Sequence, residues 1–341
     1  MSRLTAAGAA RAALVFGALA LFPFAFPQHW VLNLAVFTVM YAGLASAWNL
    51  LGGFSGYLSL GHAAFFGIGA YAVGILFTHI GVGAGYRPFL VLPGVGVAVA
   101  LLSVPVGWVA LRVRAATFAI VTISLLFVVQ QLAFNLHGLT KGSQGLALPF
   151  PPFPAASYER PFYWAVLAVF AISVLACWYV RGSKLGLMLH TVRDDEDRAR
   201  GVGVDVTTVK VIAFAVSVGL TAMLGGIWAY YISFIYPQFA VDPLVTIGAV
   251  LMAFLGGKGT IWGPALGAFI LVPVQQYLAY RLGASQLYLV GYASVFLVIM
   301  LLLPRGILPS IEDRLARRRA DPRGRDADGS EAPSRSEQVV A

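Results

Sequence analysis

Charge is what this chain has least of. Only 11% of its 341 residues are charged, against about a quarter in an average soluble domain; 59% are hydrophobic, and the mean hydropathy is +0.82. That balance excludes an ordinary water-soluble globule. There is one cysteine, Cys177, so an intrachain disulfide is impossible. The five histidines (His29, His62, His79, His137, His190) show neither HxxxH nor HExxH spacing, and no metal site is expected. None of the fourteen acids falls in the middle of an apolar run, where a proton- or sodium-coupled carrier usually keeps one. The phosphate-cradling GxxxxGK[ST] pattern is missing too. In GGKGT at 256–260, Met252 stands where its first glycine belongs and Gly259 where its Ser or Thr belongs. No catalytic residue is expected and no cofactor, and any nucleotide must be bound by another subunit.

What is present is a series of apolar runs of about 20 residues, each long enough to cross a bilayer. They are continuous rather than alternating, which excludes a β-barrel. The expected fold is an all-α polytopic membrane protein of about ten transmembrane helices. The first run, to about Phe26, is expected to be retained, because FPFAFPQ is a poor signal-peptide cleavage site. The others read at about 30–52, 62–82, 89–111, 115–136, 161–180, 209–231, 243–256, 261–280 and 285–303. The run at 243–256 is short enough for a half-span or broken helix.

With ten spans, 19 of the 23 Lys and Arg residues fall on the side of the termini and only Arg87, Lys141, Arg160 and Arg281 on the other. The positive-inside rule then makes both termini cytoplasmic. The net charge of +9 is accounted for by orientation, with no nucleic-acid partner. Residues 1–29 read as an N-terminal span and flank, 30–304 as the transmembrane domain, and 305–341 as a basic tail. In that tail, 311–319 suits a surface helix and the polar stretch from Asp321 suits disorder.

Two stretches carry patterns of their own. In the polar loop 181–210, Leu185, Met188, Leu189 and Val192 recur at helical spacing. Asp194 is expected to cap a helix whose first turn holds Asp195, Glu196 and Asp197; Arg198 and Arg200 close it, and Gly201 supplies the left-handed stop. Such a helix could dock on a cytoplasmic partner, its apolar stripe filling a groove and Glu196 meeting a cation there. The plainer reading is a solvated linker. The second stretch is GGFSGYLSLGH at 52–62. Gly52, Gly53, Ser55, Gly56, Ser59, Gly61 and His62, with the neighbouring Asn49, Trp48 and Ser46, read either as unwound backbone facing a translocation pathway or as a turn between spans.

Small residues four apart (Ala70 and Gly74, Gly94 and Ala98, Ala215 and Gly219, Ala222 and Gly226, Gly263 and Gly267) allow close helix packing in lipid. LGHAAFFGIGA at 60–70 and LGGKGTIWGPALGA at 255–268 faintly echo one another, as internal repeats do.

Four ordered segments resemble the LivM-type permeases of branched-chain amino-acid ABC importers. They are WNLLGGFSGYLSLGHAAFFGIGAYAVGIL (48–76), GLTKGSQGL (138–146), GSKLGLMLHTVRDDEDRARGVGVDV (182–206) and VLMAFLGGKGTIWGPALGA (250–268). Such permeases meet their ATPases through a Glu-Ala-Ala-x-x-x-Gly loop. Here it reads Asp197-Arg198-Ala199 with Gly203, so Arg198 departs from the pattern, and Lys141 and Gln144 depart elsewhere. The resemblance implies an inner-membrane importer subunit, with a homologous second permease, two cytoplasmic ATPases and an extracytoplasmic binding protein. It implies coupling through the loop that holds Asp194, Asp195, Glu196, Asp197, Arg198, Ala199 and Gly203. The alternatives are the same machinery carrying urea, short amides or another small polar solute, or a carrier or channel acting alone.

Overall fold

A computed structural model describes residues 6–282, 287–303 and 306–311. Its helices are α1 (Ala6–Ala25), α2 (His29–Ser55), α3 (His62–Ile75, continued by a π-helical turn Leu76–Ile80), α4 (Arg87–Ala110), α5 (Ala115–Asn135), α6 (His137–Thr140), α7 (Glu159–Gly182), α8 (Lys184–Asp194), α9 (Glu196–Gly201), α10 (Val206–Ile232), α11 (Pro237–Ala240), α12 (Pro243–Gly256), α13 (Gly263–Leu282) and α14 (Leu287–Leu302). Seven stretches among the described residues are long and apolar enough to cross a membrane, and the chain is a multi-pass membrane protein. The expected basic helix at 311–319, apart from Ile311, and the tail beyond it lie outside the described residues.

α10 is the centre of the bundle and α5 its margin: 83% of the apolar window of α10 is buried, against 22% for α5. Close approach explains the difference. A β-carbon on Gly69 would stand 2.0 Å from the Ala222 carbonyl oxygen, and one on Gly225 2.0 Å from that of Phe66, so α3 and α10 touch backbone to backbone. Gly219 meets the Gly96 carbonyl of α4 in the same way. Gly94 and Ala98, expected as a packing pair, point outwards, and the contact of α4 is made by Gly96 instead. The exposed Ile120, Phe127, Val128 and Leu132 of α5 form an apolar face suited to lipid.

The two ends of the bundle differ. At one, the aromatic end, Phe162 lies 5.0–5.4 Å from the rings of Phe89, Tyr158, Tyr230 and Tyr231. His29 Nδ1 sits 3.1 Å from the Glu159 carboxylate there, tying α2 to α7. Leu146–Ala147 pairs antiparallel with Phe234–Ile235 as a two-residue ribbon. The other, charged end gathers Arg112, Arg114, Arg193 and Arg200 with α9.

α12 is broken from its predecessor. Asp242 accepts a hydrogen bond from the Leu244 backbone N–H and Pro243 takes the first helical position, so a 14-residue helix, about 21 Å long at ~1.5 Å per residue, starts afresh after the short α11.

Candidate functional site

At the charged end, Ser183 caps α8 and the helix runs to Asp194. Leu189 and Val192 are buried, and Leu185 and Met188 pack against the same core. The apolar stripe expected to fill a partner's groove is therefore spent on this chain's own bundle. The chain then extends for one residue at Asp195, whose carboxylate accepts from the backbone N–H of Asp197 and Arg198 at 3.0 Å and caps α9. The cap is thus Asp195, not Asp194. The left-handed residue is Gly203, with φ +85°, not Gly201. Ala199 is fully buried on the inner face of α9, and its carbonyl accepts from the Val204 N–H at 3.1 Å. The Ala-x-x-x-Gly spacing is thereby explained: a small residue where the helix meets the bundle, and a glycine where the chain turns back.

Glu196 meets its cation inside the chain. Lys210, one turn into α10 and wholly buried, places Nζ 3.2 Å from Glu196 Oε1; Arg200 binds the same oxygen at 2.6 Å. Tyr57, in the segment after α2, donates its hydroxyl to Glu196 Oε2 and accepts from Lys210 Nζ at 2.9 Å. The ammonium also lies 4.1 Å from the Tyr57 ring centroid. Burial alone would raise the Glu196 carboxyl; the Tyr57 hydrogen bond and the Lys210 and Arg200 charges outweigh it and hold it below its ordinary value. Burial, and then the facing Glu196 carboxylate, push the Tyr57 phenol well above its own. The expectation that Glu196 needs a partner subunit's cation is corrected on this point. The cluster locks α9 to α10 and to the end of α2. Outside it, Asp197 and Arg198 project into solvent, and Arg114 reaches Asp197 at 3.6 Å. A cavity of about 380 Å³ separates this rim from Ser55, Gly56 and Arg112.

The glycine-rich stretch does break between two spans, as the turn reading expects, but the break is shorter than 52–62. α2 continues unbroken through Gly52 and Gly53 to Ser55, so these two glycines are not part of the break. They admit close neighbours: a β-carbon on Gly53 would collide with Asn49 Oδ1 and approach the Gly259 N–H to 2.8 Å. Asn49 uses both amide atoms on the α12–α13 loop, donating to Thr260 O and accepting from Gly259 N, each at 2.8 Å. The break covers Gly56 to Gly61, with Gly56 at φ +77°, and it turns back into the bundle. Trp48, seven residues before the end of α2, donates to Ser59 O at 2.8 Å. α3 therefore starts at His62 alongside α2 and not beyond its end. There Ser217 gives its one hydroxyl proton to Ala47 O at 2.6 Å, so it accepts from His62 Nε2 at 2.7 Å, leaving Nδ1 to accept from Ser59 Oγ at 2.9 Å. The Ala63 N–H donates to Thr246 Oγ1 of α12 at 2.7 Å. Asn49, Ser59 and His62 thus tie α2, α3, α10 and the α12–α13 loop together. Of the stretch, Ser55, Gly56 and Tyr57 line a described cavity, the one beside α9.

The family described as branched-chain amino acid transport system / permease component matches residues 30–304. The chain belongs to that family. The permease is 25% identical over 324 residues to the high-affinity branched-chain amino acid transport system permease protein LivM of Salmonella typhimurium, covering 86% of this chain and 74% of that protein. It is 25% identical over 295 residues to LivH, a permease protein of the same kind of system in Escherichia coli K12, covering 80% and 92%. A shorter match, 29% over 111 residues and 31% of this chain, is to the autoinducer 2 import system permease protein LsrC of Salmonella paratyphi B. No solved structure matches.

Lys210 and Tyr57 escaped the sequence reading of the permease. Lys210 looks like the last residue of a polar loop, although VTTVKVIAF already has the composition of a span, and a cation inside a span is itself a signal.

Proposed function

We propose that this chain is one permease subunit of an ABC importer carrying branched-chain or related neutral amino acids across the bacterial inner membrane, with its charged end and both termini in the cytoplasm. Two separate ATPase subunits bind ATP and dock on α8 and α9; a homologous second permease completes the translocation unit, and an extracytoplasmic binding protein delivers the cargo. The family membership and the LivM and LivH relatives support the cargo class. The observation that carries the coupling is the Glu196–Lys210–Tyr57 cluster. A surface helix held only by its loops would bend under load, whereas α9 is joined to the central helix by an ion pair whose Lys210 end is fully buried.

The test is reconstitution with the partner subunits in liposomes. ATP-driven uptake of L-leucine that needs the ATPases supports the reading; uphill uptake by this chain alone would sink it. A second reading changes only the cargo, to another small uncharged solute, and is favoured by the LsrC match. The compound that raises the melting temperature of the binding protein decides between them. Orientation is tested with Leu187→Cys, which is exposed on α8, while the natural Cys177 is buried. An impermeant maleimide is expected to label it from the cytoplasmic face alone.

A further inference from the structure

α13 is 20 residues long yet not apolar enough to qualify as a span, because its second half carries Gln275, Gln276, Tyr277, Tyr280 and Arg281. Gln276 and Tyr277 are exposed. Gln276 lines the same two cavities as Phe37, which is eight residues, or about 12 Å at ~1.5 Å per residue, inside the aromatic end of α2. Hydrocarbon offers an amide no hydrogen bond, so an exposed glutamine at that depth belongs against protein or water, not lipid. The lipid-suited face of α5, with Ile120, Phe127 and Val128, shows the contrast.

A cavity of about 860 Å³ lies between α2 and α13, walled by Trp30, Asn33, Phe37, Gln276 and Tyr277 among others. A second, of about 150 Å³, shares Phe37 and Gln276 with it and continues inwards past Gln275 to Leu44, near the middle of α2, and to Trp228 of α10. Together they make one cleft from the aromatic end towards mid-bundle. Among the described residues no charged side chain lines either part. Aromatic and aliphatic walls with a few amides suit a small solute that is apolar on one side and polar without net charge on the other.

We infer that the α2–α13 cleft is this permease's share of the solute path, and that Gln276 is a polar contact for the ammonium and carboxylate of an amino acid whose apolar side chain slides along Phe37 and Tyr277. The inference rests on the proposed function for its cargo, but not for the cleft's being wet. It replaces the 49–62 stretch, whose polar groups are occupied by the ties described above, as the place to look for the pathway.

The test uses the assembled, reconstituted transporter with two readouts. In the first, Gln276→Cys and Ile120→Cys are treated with a charged, water-soluble methanethiosulfonate. Modification of the former alone, slowed at least fivefold by saturating L-leucine with the binding protein present, is the expected result. In the second, Gln276→Leu is expected to lower leucine uptake at least tenfold while both permeases and the ATPases still co-purify. No modification of Gln276→Cys would overturn the inference, since the face would then be dry. Modification without leucine protection, with uptake by Gln276→Leu unchanged, would also overturn it, the cleft being wet but off the path. Loss of the second permease from Gln276→Leu would overturn it in favour of a subunit contact. Should the native transporter carry no leucine, the cargo reading fails; the labelling contrast still decides the cleft, with protection then scored against the solute that is carried.

Discussion

The charged end and the α2–α13 cleft handle polar groups in opposite ways. At the charged end each buried group has a named partner: Lys210 has Glu196 and Tyr57, and Glu196 has Arg200 as well. In the cleft the lining side chains are uncharged, and the exposed Gln276 stands between aromatic walls. A paired cluster transmits displacement because parting it costs energy, whereas an open row of amides can exchange one partner for another. In a transporter the first arrangement suits coupling and the second suits passage.

The sharpest way to break the comparison is at Glu196. Glu196→Ala strands the Lys210 ammonium inside the bundle, and losing one partner of a buried pair costs about 3–5 kcal/mol. The expected outcome is a large fall in melting temperature in detergent, along with loss of the ATPases on purification. Removing both charges in Glu196→Leu/Lys210→Met should recover most of the stability, since an apolar pair of similar volume is nearly neutral. Transport should not recover if the ion pair carries coupling. The same contact sets an acid limit. The Glu196 carboxyl is held below its ordinary value of 4.5 in the folded protein, so its contribution is whole above that value and is lost as pH falls through the lower, folded one. A thermal series from pH 7 to 5 should therefore show no loss from this group, and the Lys210→Met variant should be less sensitive than the native chain below 4.5.

Gly225→Ala perturbs the scaffold that both regions share. Its new methyl would meet the Phe66 carbonyl at 2.0 Å, and backbone cannot step aside as a side chain can. A loss of about 1–3 kcal/mol is expected, read as a lower melting temperature. Gly94→Ala, on the outward face of the neighbouring α4 with nothing within 4 Å, should change nothing measurable. Unequal losses at the two would confirm that α3–α10 contact, and not glycine content, fixes the bundle.

Much of this was legible in the chain because a bilayer leaves long apolar runs few choices. The run read at 115–136 is Ala115–Asn135 and that at 243–256 is Pro243–Gly256. Errors arose where several residues offered the same local chemistry. Asp194 and Asp195 are equally able caps; the deciding factor is that α8 keeps its buried face through Val192 and breaks one turn boundary later. Glycine is ambiguous in the same way. Gly52 and Gly53 serve close packing within a helix, and Gly56 serves a turn, yet their sequence surroundings are alike. The Leu146–Ile235 ribbon has two residues a side, too few for any alternation to register. The cleft stayed hidden because its walls come from α2 and α13, more than 200 residues apart, and because each wall alone reads as an aromatic-rich helix end.

A small expected change in stability separates docking from folding within α9 itself. Asp197 and Arg198 expose 75% and 87% of their side chains, and their contacts, to Arg114 and to Asp195, are surface ion pairs worth less than about 1 kcal/mol each. Asp197→Asn with Arg198→Gln should therefore leave the melting temperature within a degree or two of the native value while keeping α9, because the Asp195 cap is untouched. If α9 is the surface the ATPases grip, the same double variant should lose ATPase retention, with a salt dependence weaker than that of the native complex, since rim charges act through screened attraction. Unchanged retention would shift the docking surface to α8 and the Arg112–Arg114 turn, and α9 would then serve the bundle through Glu196 alone.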